Sequence, residues 1–177
     1  HKQSADIRTE EALKACAILN ARAVFLGQID GQSEVTAARY EAVRRFVEKE
    51  QPGAVFTHWP IDTHRDHRAC SLLVYDAWLS LGRKFALFYY EAMTGQQSQN
   101  FTPTDYVNIG AVLKQKHTAC SSHVSQRVES WYADTHGRME QFRGLEFGCT
   151  YAEAFVHHIQ SPDFPLCIAC DLESEAE

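Results

Sequence analysis

Residues 57–67 concentrate three histidines and two aspartates in one short segment, Thr-His-Trp-Pro-Ile-Asp-Thr-His-Arg-Asp-His. Imidazole and carboxylate groups are ligands for zinc, and a catalytic zinc site uses about three protein ligands and keeps one position for water. If Asp66 and His67 begin a helix, His64 and His67 lie three residues apart and can converge on one point. The simpler interpretation is a solvated polar loop in which Asp66 caps the helix. We favour a metal site because polar loops rarely hold three histidines so close together.

The elements around this segment are expected to place it at the edge of a sheet. An apolar run at 54–57 predicts a strand before it, and a helical pattern to about Leu81, stopped by Gly82, predicts a helix after it. A second apolar run at 23–26 suits a buried parallel strand. In such sheets the binding crevice lies beyond the carboxyl ends of the strands, which is where the histidine segment falls.

The rest of the chain alternates in the same way. Alternating helices and strands favour an α/β fold, for which we expect a Rossmann-like three-layer sandwich with a mostly parallel sheet. We predict one domain over residues 1–165 that lacks its first strand, followed by an acidic tail at 166–177. The other predicted elements are helices at 5–19, near 35–46 and within 110–142, strands at 85–90 and 107–109, and an ambiguous stretch at 153–159.

Composition narrows the class of protein. The net charge of −6 argues against nucleic acid as the main partner, and no apolar run approaches the roughly 20 residues that span a bilayer. Six scattered cysteines are typical of reduced thiols, so we predict the cytoplasm. The sequence begins at His1 without a starting Met, so it leaves open whether a signal peptide is present. Cys167 and Cys170 have the spacing of half a zinc knuckle or of a redox motif, but a lone pair is weak evidence.

The order of several motifs resembles the PIG-L (LmbE-like) zinc-dependent N-deacetylases. The element Asp-x-His-x-Asp-His at 62–67 is similar to the second signature of that family. The other matching stretches, in register along the chain, are Arg8-x-x-Glu11, Phe25-Leu26-Gly27, Tyr90-Glu91, Phe101-Thr102-Pro103, Val107-Asn108-Ile109, His123-x-Ser125-Gln126 and Tyr151-Ala-Glu153-Ala-Phe155. The family's first signature, His-Pro-Asp-Asp, is not in these residues and would lie upstream of His1.

The resemblance implies a division of roles. His67 would bind Zn²⁺ together with a His and an Asp from the missing signature, whose second carboxylate would be the general base. His64 would act as an imidazolium that stabilises the oxyanion or protonates the leaving amine, and Asp66 would hold its ring. We therefore expect the 177 residues alone to bind zinc weakly and to be inactive. The implied substrate is a small N-acetylated amino-sugar compound, and a homo-oligomer is compatible with the resemblance.

Three further residues are predicted to bind substrate by the same resemblance. Arg8 either contacts substrate or pairs with Glu11. His123 either lies at the pocket or is a structural histidine. Tyr151 either lines the pocket or packs in the ordinary way. Asp62 is expected to shape the loop, and His58, at a strand end, to be structural or an auxiliary group.

The sequence leaves two other functions open. A metallo-β-lactamase-like hydrolase carries His-x-His-x-Asp-His, but here Asp62 replaces the first histidine and the strand-rich pattern is missing. Two zinc ions per chain would favour it over a deacetylase with one. A non-catalytic member of the same fold is the second alternative, and the residues upstream of His1 would decide it.

Overall fold

The structure is a computed structural model that describes residues 2–92 and 95–166. Cys167, Cys170 and all but the first residue of the predicted tail lie outside the described residues. The elements are α1 (Lys2–Ile18), α2 (Ala37–Glu50), β1 (Ala54–His58), α3 (Arg65–Ser80), β2 (Ala86–Tyr90), β3 (Asp105–Asn108), α4 (Leu113–Ser121), α5 (His136–Phe147) and β4 (Ala152–His157), with 3₁₀ turns at Gly110–Val112, Val124–Gln126 and Val128–Ser130.

The strands form one sheet in the order β1-β2-β4-β3. Strands β1 and β2 are parallel, in a register that runs from Ala54 opposite Ala86 to His58 opposite Tyr90, whereas β4 is antiparallel to both β2 and β3. The α/β class is confirmed, but the prediction of a mostly parallel sheet is wrong because the sheet is mixed. The alternation of helices and strands does not determine strand direction, and the chain returns to β4 through two helices and several turns rather than one crossover helix.

The predicted strand at 23–26 is also absent from the sheet. Val24, Phe25 and Leu26 are 43%, 57% and 44% exposed and lie in irregular backbone. A strand needs a neighbour to accept and donate its backbone hydrogen bonds. No strand within the described residues pairs with this run. Local hydrophobicity predicts a strand without indicating whether such a neighbour is present.

Helices α2 and α3 cover one face of the sheet. The centre of this core is Trp78, whose side chain is fully buried and whose Nε1–H donates to the carbonyl of Phe85 over 3.0 Å. Alternate residues of β2 point to this face, as the two-residue period of a strand requires. The buried residues of the core are Val43, Val47, Leu73, Ala77, Trp78, Phe85, Leu87 and Tyr89.

The opposite face of the sheet carries the site. Phe88 stacks on Phe56 with ring centroids 5.0 Å apart, and both contact Phe155 edge-on. Helix α5 packs against β3 and β4. Gly144 permits a close approach there, since a Cβ atom would lie 2.6 Å from the carbonyl oxygen of Thr150. A cavity of about 810 Å³ opens between this face and α5.

Candidate functional site

The histidine segment lies between the end of β1 and the start of α3, as the sequence predicts. Strand β1 ends at His58, and α3 begins at Arg65 with His64 as its N-cap. The Nδ1 atom of His64 accepts the backbone N–H of Asp66 over 3.3 Å, which satisfies one of the free donors at the helix start. A neutral His64 therefore carries its proton on Nε2.

Asp62 shapes the loop, and its side chain is fully buried. Its Oδ1 accepts the backbone N–H of His64 over 2.6 Å, and its Oδ2 lies 3.4 Å from the hydroxyl of Ser98. Its backbone carbonyl accepts an N–H of Arg68 over 2.5 Å. These bonds use the carboxylate to hold the turn, which agrees with the expected structural role of this residue.

Three imidazole rings form a stack. The ring of His67 lies 4.2 Å from that of His58, with 16° between the planes, and 4.5 Å from that of His64, with 29° between the planes. Both faces of His67 are covered, so only its edge can reach a ligand. Burial is the largest cause that lowers the pKa of His58 to about 4, and His58 is neutral at pH 7.

The Nδ1 atom of His67 is buried and has no hydrogen-bond partner within the described part of the chain. It lies 3.1 Å from Oδ2 of Asp62, but the two atoms are not aligned for a hydrogen bond, so we treat this as a contact and not as a bond. A buried unpaired imidazole nitrogen is costly in free energy, and a cation is one partner that satisfies it. His67 therefore fits the zinc ligand implied by the resemblance.

The carboxylate of Asp66 does not hydrogen-bond to the His64 ring. Its carboxylate accepts the backbone N–H groups of Gly31, over 2.6 Å, and Ser33, over 3.1 Å. Burial alone would raise the pKa of Asp66, but these two bonds, together with the Ser33 side chain and the nearby His64, outweigh it and leave the pKa lowered. The carboxylate thus fixes the 31–33 segment against α3, and Asp66 meets His64 through its backbone instead.

Sequence reasoning missed Asp30. Ligand atoms of Asp30, His64 and Asp66 lie within 4.8 Å of one another, a spacing at which they could hold a cation. This group excludes His67, so the geometry offers a second position for a metal beside the predicted one. The available signal was the Asp30-Gly31 pair, which is typical of a turn.

Arg8 reaches the cavity from α1. Its guanidinium pairs with the carboxylate of Asp30 and donates to the side chain of Gln126 over 3.0 Å. The alternative of an Arg8–Glu11 pair is wrong, because Glu11 accepts both the N–H and the hydroxyl of Ser125 over 2.7 Å. These bonds join α1 to the turn at 124–126.

The other two predicted substrate residues lie elsewhere. His123 is not among the residues that line the cavity, and Gln126 of the same element takes that position. Tyr151 lines a second cavity of about 330 Å³, on the other side of Glu140. The predicted pocket contacts of His123 and Tyr151 are therefore not present in this structure. Both residues come from motifs that do approach the site, but through neighbouring side chains.

The far wall of the cavity consists of paired charges. Arg143 donates to both oxygens of Glu91 over 2.7 and 2.8 Å, and its third nitrogen donates to Glu146 over 2.6 Å. Glu91 directly follows β2 and belongs to a motif named above, but Arg143 gave no signal of its own. A bidentate pair of this kind leaves the guanidinium few free donors for a ligand.

A buried network surrounds Glu140, which is 2% exposed. Its carboxylate meets the ammonium of Lys116 at 2.6 Å, the hydroxyl of Tyr132 at 2.8 Å and Nε2 of His117 at 3.0 Å. Lys116 also lies 2.5 Å from Glu153, which lines the cavity. Burial alone would raise the pKa of Glu140, but Lys116, His117 and Tyr132 together outweigh it and leave the pKa lowered.

Comparison with known proteins agrees with the motifs. Residues 1–78 match the profile of the PIG-L family, described as GlcNAc-PI de-N-acetylase, and the predicted resemblance is confirmed there. No curated protein matches the chain in sequence. Within the residues that the structure describes, no helix has both the length and the apolar character needed to cross a membrane.

Three solved structures share the fold. The conserved protein TT1542 from Thermus thermophilus has a TM-score of 0.77 and 26% identity, over 93% of this chain and 78% of its own. GalB, the 4-carboxy-2-hydroxymuconate hydratase from Pseudomonas putida, has a TM-score of 0.76 and 21% identity, and the match covers 91% of this chain and 75% of GalB. The N,N'-diacetylchitobiose deacetylase from Pyrococcus horikoshii has a TM-score of 0.73 and 21% identity, and the match covers 87% of this chain and 64% of the deacetylase. The fold thus accommodates more than one reaction.

Proposed function

We propose that this chain, whose first 78 residues match the PIG-L family, acts in a zinc-dependent hydrolase that removes an N-acetyl group from an amino-sugar conjugate. Water would add to the acetyl carbon, the C–N bond would break, and acetate and a free amine would leave. One observation carries the proposal: His67, in the middle of the imidazole stack, presents a buried unpaired nitrogen beside a cavity large enough for a sugar.

His67 would hold the zinc ion, and its ring is prepared for this role. The stack fixes the plane of the ring before any ligand binds, which lowers the cost of ordering it. When bound, zinc would lower the pKa of its water to about 7 and polarise the acetamide carbonyl. The remaining ligands and the general base stay predictions from the resemblance.

His64 would stabilise the negative charge that develops on the carbonyl oxygen. Its Nδ1 accepts the N–H of Asp66, so the neutral ring has an N–H at Nε2 available as a donor. The imidazolium form would require the bond at Nδ1 to break, and a length of 3.3 Å indicates that the bond is weak. His64 can therefore donate from Nε2 in its neutral form.

The cavity wall favours a neutral substrate. Arg8 is paired with Asp30 and Arg143 with Glu91 and Glu146, so both arginines at the cavity are already neutralised. A polycarboxylate, such as the compound named for the hydratase, needs unpaired cations. A sugar carries little net charge and does not need an unpaired cation, so a wall of neutralised pairs is compatible with it. The same wall gives no support to a carboxylate-binding hydratase.

The test is acetate release by the full-length protein loaded with zinc. N,N'-diacetylchitobiose and N-acetylglucosamine conjugates would be the substrates, and both acetate and new primary amine would be measured. We expect equal amounts of the two products, with activity lost on chelation and restored by zinc. The His64→Asn variant is the matched control, because Asn preserves the helix cap without the imidazole.

Three results would lead to a different function. Two zinc ions per chain would support the metallo-β-lactamase-like alternative. Hydration of 4-carboxy-2-hydroxymuconate with no acetate release would support a hydratase. A folded, zinc-free protein that binds N-acetylglucosamine without turnover would support the non-catalytic alternative. Cytoplasmic location and a homo-oligomer remain predictions, to be checked by fractionation and by light scattering.

A further inference from the structure

Two buried side-chain polar atoms have no hydrogen-bond partner within residues 2–92 and 95–166, and both belong to residues that line the same cavity. They are Nδ1 of His67 and Oε1 of Gln97. Burying a polar atom without a partner costs free energy, so native proteins rarely keep such atoms unless a ligand or water completes them. The proposed metal accounts for the nitrogen of His67. Nothing in the proposed function yet accounts for the carbonyl oxygen of Gln97.

The backbone of Gln97 is fixed to the histidine loop. The N–H of Thr63 donates to the carbonyl of Gln97 over 3.0 Å, and the N–H of Gln99 donates to the carbonyl of Ile61 over 2.9 Å. Asp62 and Ser98 face each other between these bonds as an antiparallel bridge. The backbone of Gln97 is therefore held opposite Thr63, the residue that precedes His64.

The 97–99 segment is anchored on its other side as well. The indole N–H of Trp59 donates to the carbonyl of Gln99 over 2.9 Å, and the hydroxyl of Ser98 accepts the N–H of Ala92 over 2.7 Å. Several bonds thus hold this short segment against the histidine loop and the end of β2. The backbone of Gln97 is therefore fixed beside the histidine loop, and its side chain extends from that position into the wall of the cavity.

The chemistry of the unpaired atom defines what it can bind. An amide carbonyl is a neutral acceptor, so its partner is an N–H or O–H group rather than an anion. In a trans amide the N–H and the C=O point in opposite directions. A donor on one side and an acceptor on the other can therefore hold an acetamido group in a single orientation. The proposed oxyanion donor is His64 Nε2–H, and Gln97 offers the acceptor.

We propose that Oε1 of Gln97 accepts the N–H of the acetamido group that is hydrolysed, and that Gln97 thereby selects N-acetyl over O-acetyl substrates. This inference rests on the proposed function. An acetate ester has an oxygen where the amide has its N–H, and its lone pairs would face those of Oε1. Gln97 is a specificity-determining residue in this proposal, since it hydrogen-bonds to the group that is cleaved and takes no part in proton transfer.

The test compares an amide and an ester that differ only at this atom. Methyl 2-acetamido-2-deoxyglucoside and methyl 2-O-acetylglucoside would be assayed with the full-length, zinc-loaded protein and with its Gln97→Met variant. Met has a similar length and no acceptor of comparable strength. We expect kcat/KM for the amide to fall about ten- to a hundredfold while that for the ester stays level or rises. The amide-to-ester ratio should therefore fall at least about tenfold.

Two further variants keep the test decisive. Gln96→Met changes an exposed glutamine next in the chain, whose side chain does not line the cavity, and should leave the ratio unchanged. Gln97→Glu preserves shape and acceptor, so its ratio should stay within about threefold of the wild type, even if Gln97→Met fails to fold.

The outcomes separate this inference from the proposed function. If the wild-type protein releases acetate but Gln97→Met leaves the amide-to-ester ratio unchanged, only the role of Gln97 is overturned. Collapse of the ratio in Gln97→Glu overturns it as well, because the acceptor is then not what matters. Wild-type protein that releases no acetate from the amide overturns both proposals.

Discussion

The imidazole rings of His58 and His67 lie 4.2 Å apart and nearly parallel, at 16°. His58 ends β1, whereas His67 lies in the first turns of α3, so this contact joins the two elements that flank the loop. Since burial keeps His58 neutral, it supports His67 by ring contact rather than by charge. A residue expected to be structural or auxiliary therefore forms part of the site.

This contact predicts a difference between two substitutions of His58. His58→Phe keeps a ring against His67 and should leave zinc affinity within a few-fold of the wild type. His58→Ala removes the ring and should weaken zinc about 10–100-fold, the usual effect of losing a group that orients a ligand. Calorimetric zinc titration of the full-length protein would measure both. An equal loss of zinc affinity in the two variants would show that the nitrogens of His58, and not its ring contact, are needed.

The second prediction separates the roles of His64 and His67. His67→Ala should abolish stoichiometric zinc binding, whereas His64→Asn should keep the metal and lower kcat about 10²–10³-fold. Zinc content by elemental analysis and steady-state kinetics would be measured together, with His123→Ala as a histidine control outside the cavity. Loss of zinc from His64→Asn with retention by His67→Ala would instead place the metal at Asp30, His64 and Asp66.

The third prediction concerns stability away from the histidines. Glu140→Ala leaves the ammonium of Lys116 with one carboxylate fewer in a buried site, which should cost about 3–5 kcal/mol of unfolding free energy. The melting temperature should fall by roughly 6–20 °C for a domain of this size. The control is Asp134→Asn, which breaks the exposed Asp134–Arg138 pair and should cost less than about 0.5 kcal/mol. Similar losses in both variants would contradict the importance of burial.

The same network predicts how stability depends on pH. The folded pKa of Glu140 is lowered, so its contribution is complete above its unfolded pKa of about 4.3 and is lost as pH falls through the folded value. The pKa of Lys116 is raised, because Glu153 and Glu140 outweigh the opposing effect of burial. Its contribution is therefore lost as pH rises beyond about 10.4. Urea unfolding between about pH 3 and 8 should show an acid decline that Glu140→Gln flattens, and an unchanged decline in that variant would contradict the assignment.

The sequence alone was sufficient to predict the local structure of the histidine segment and of the two elements that flank it. The His64, Asp66 and His67 spacing, between an apolar run and a helical pattern, predicted a strand–loop–helix arrangement, and the structure has it. Such local features depend on residues close in sequence, so periodicity and capping preferences reveal them. The α/β class followed from the same periodicity, whereas the family resemblance rests on the order of the sequence motifs.

Contacts between distant parts of the chain were decided only by the tertiary structure. The direction of β4, the failure of 23–26 to form a strand, the pairing of Arg8 with Asp30 instead of Glu11, and the network around Glu140 all depend on which segments meet in space. Composition does not reveal that Gln97 lies opposite Thr63, because only the bridge between their loops brings them together. The sequence therefore determined which groups could do chemistry, and packing decided which of them face the same cavity.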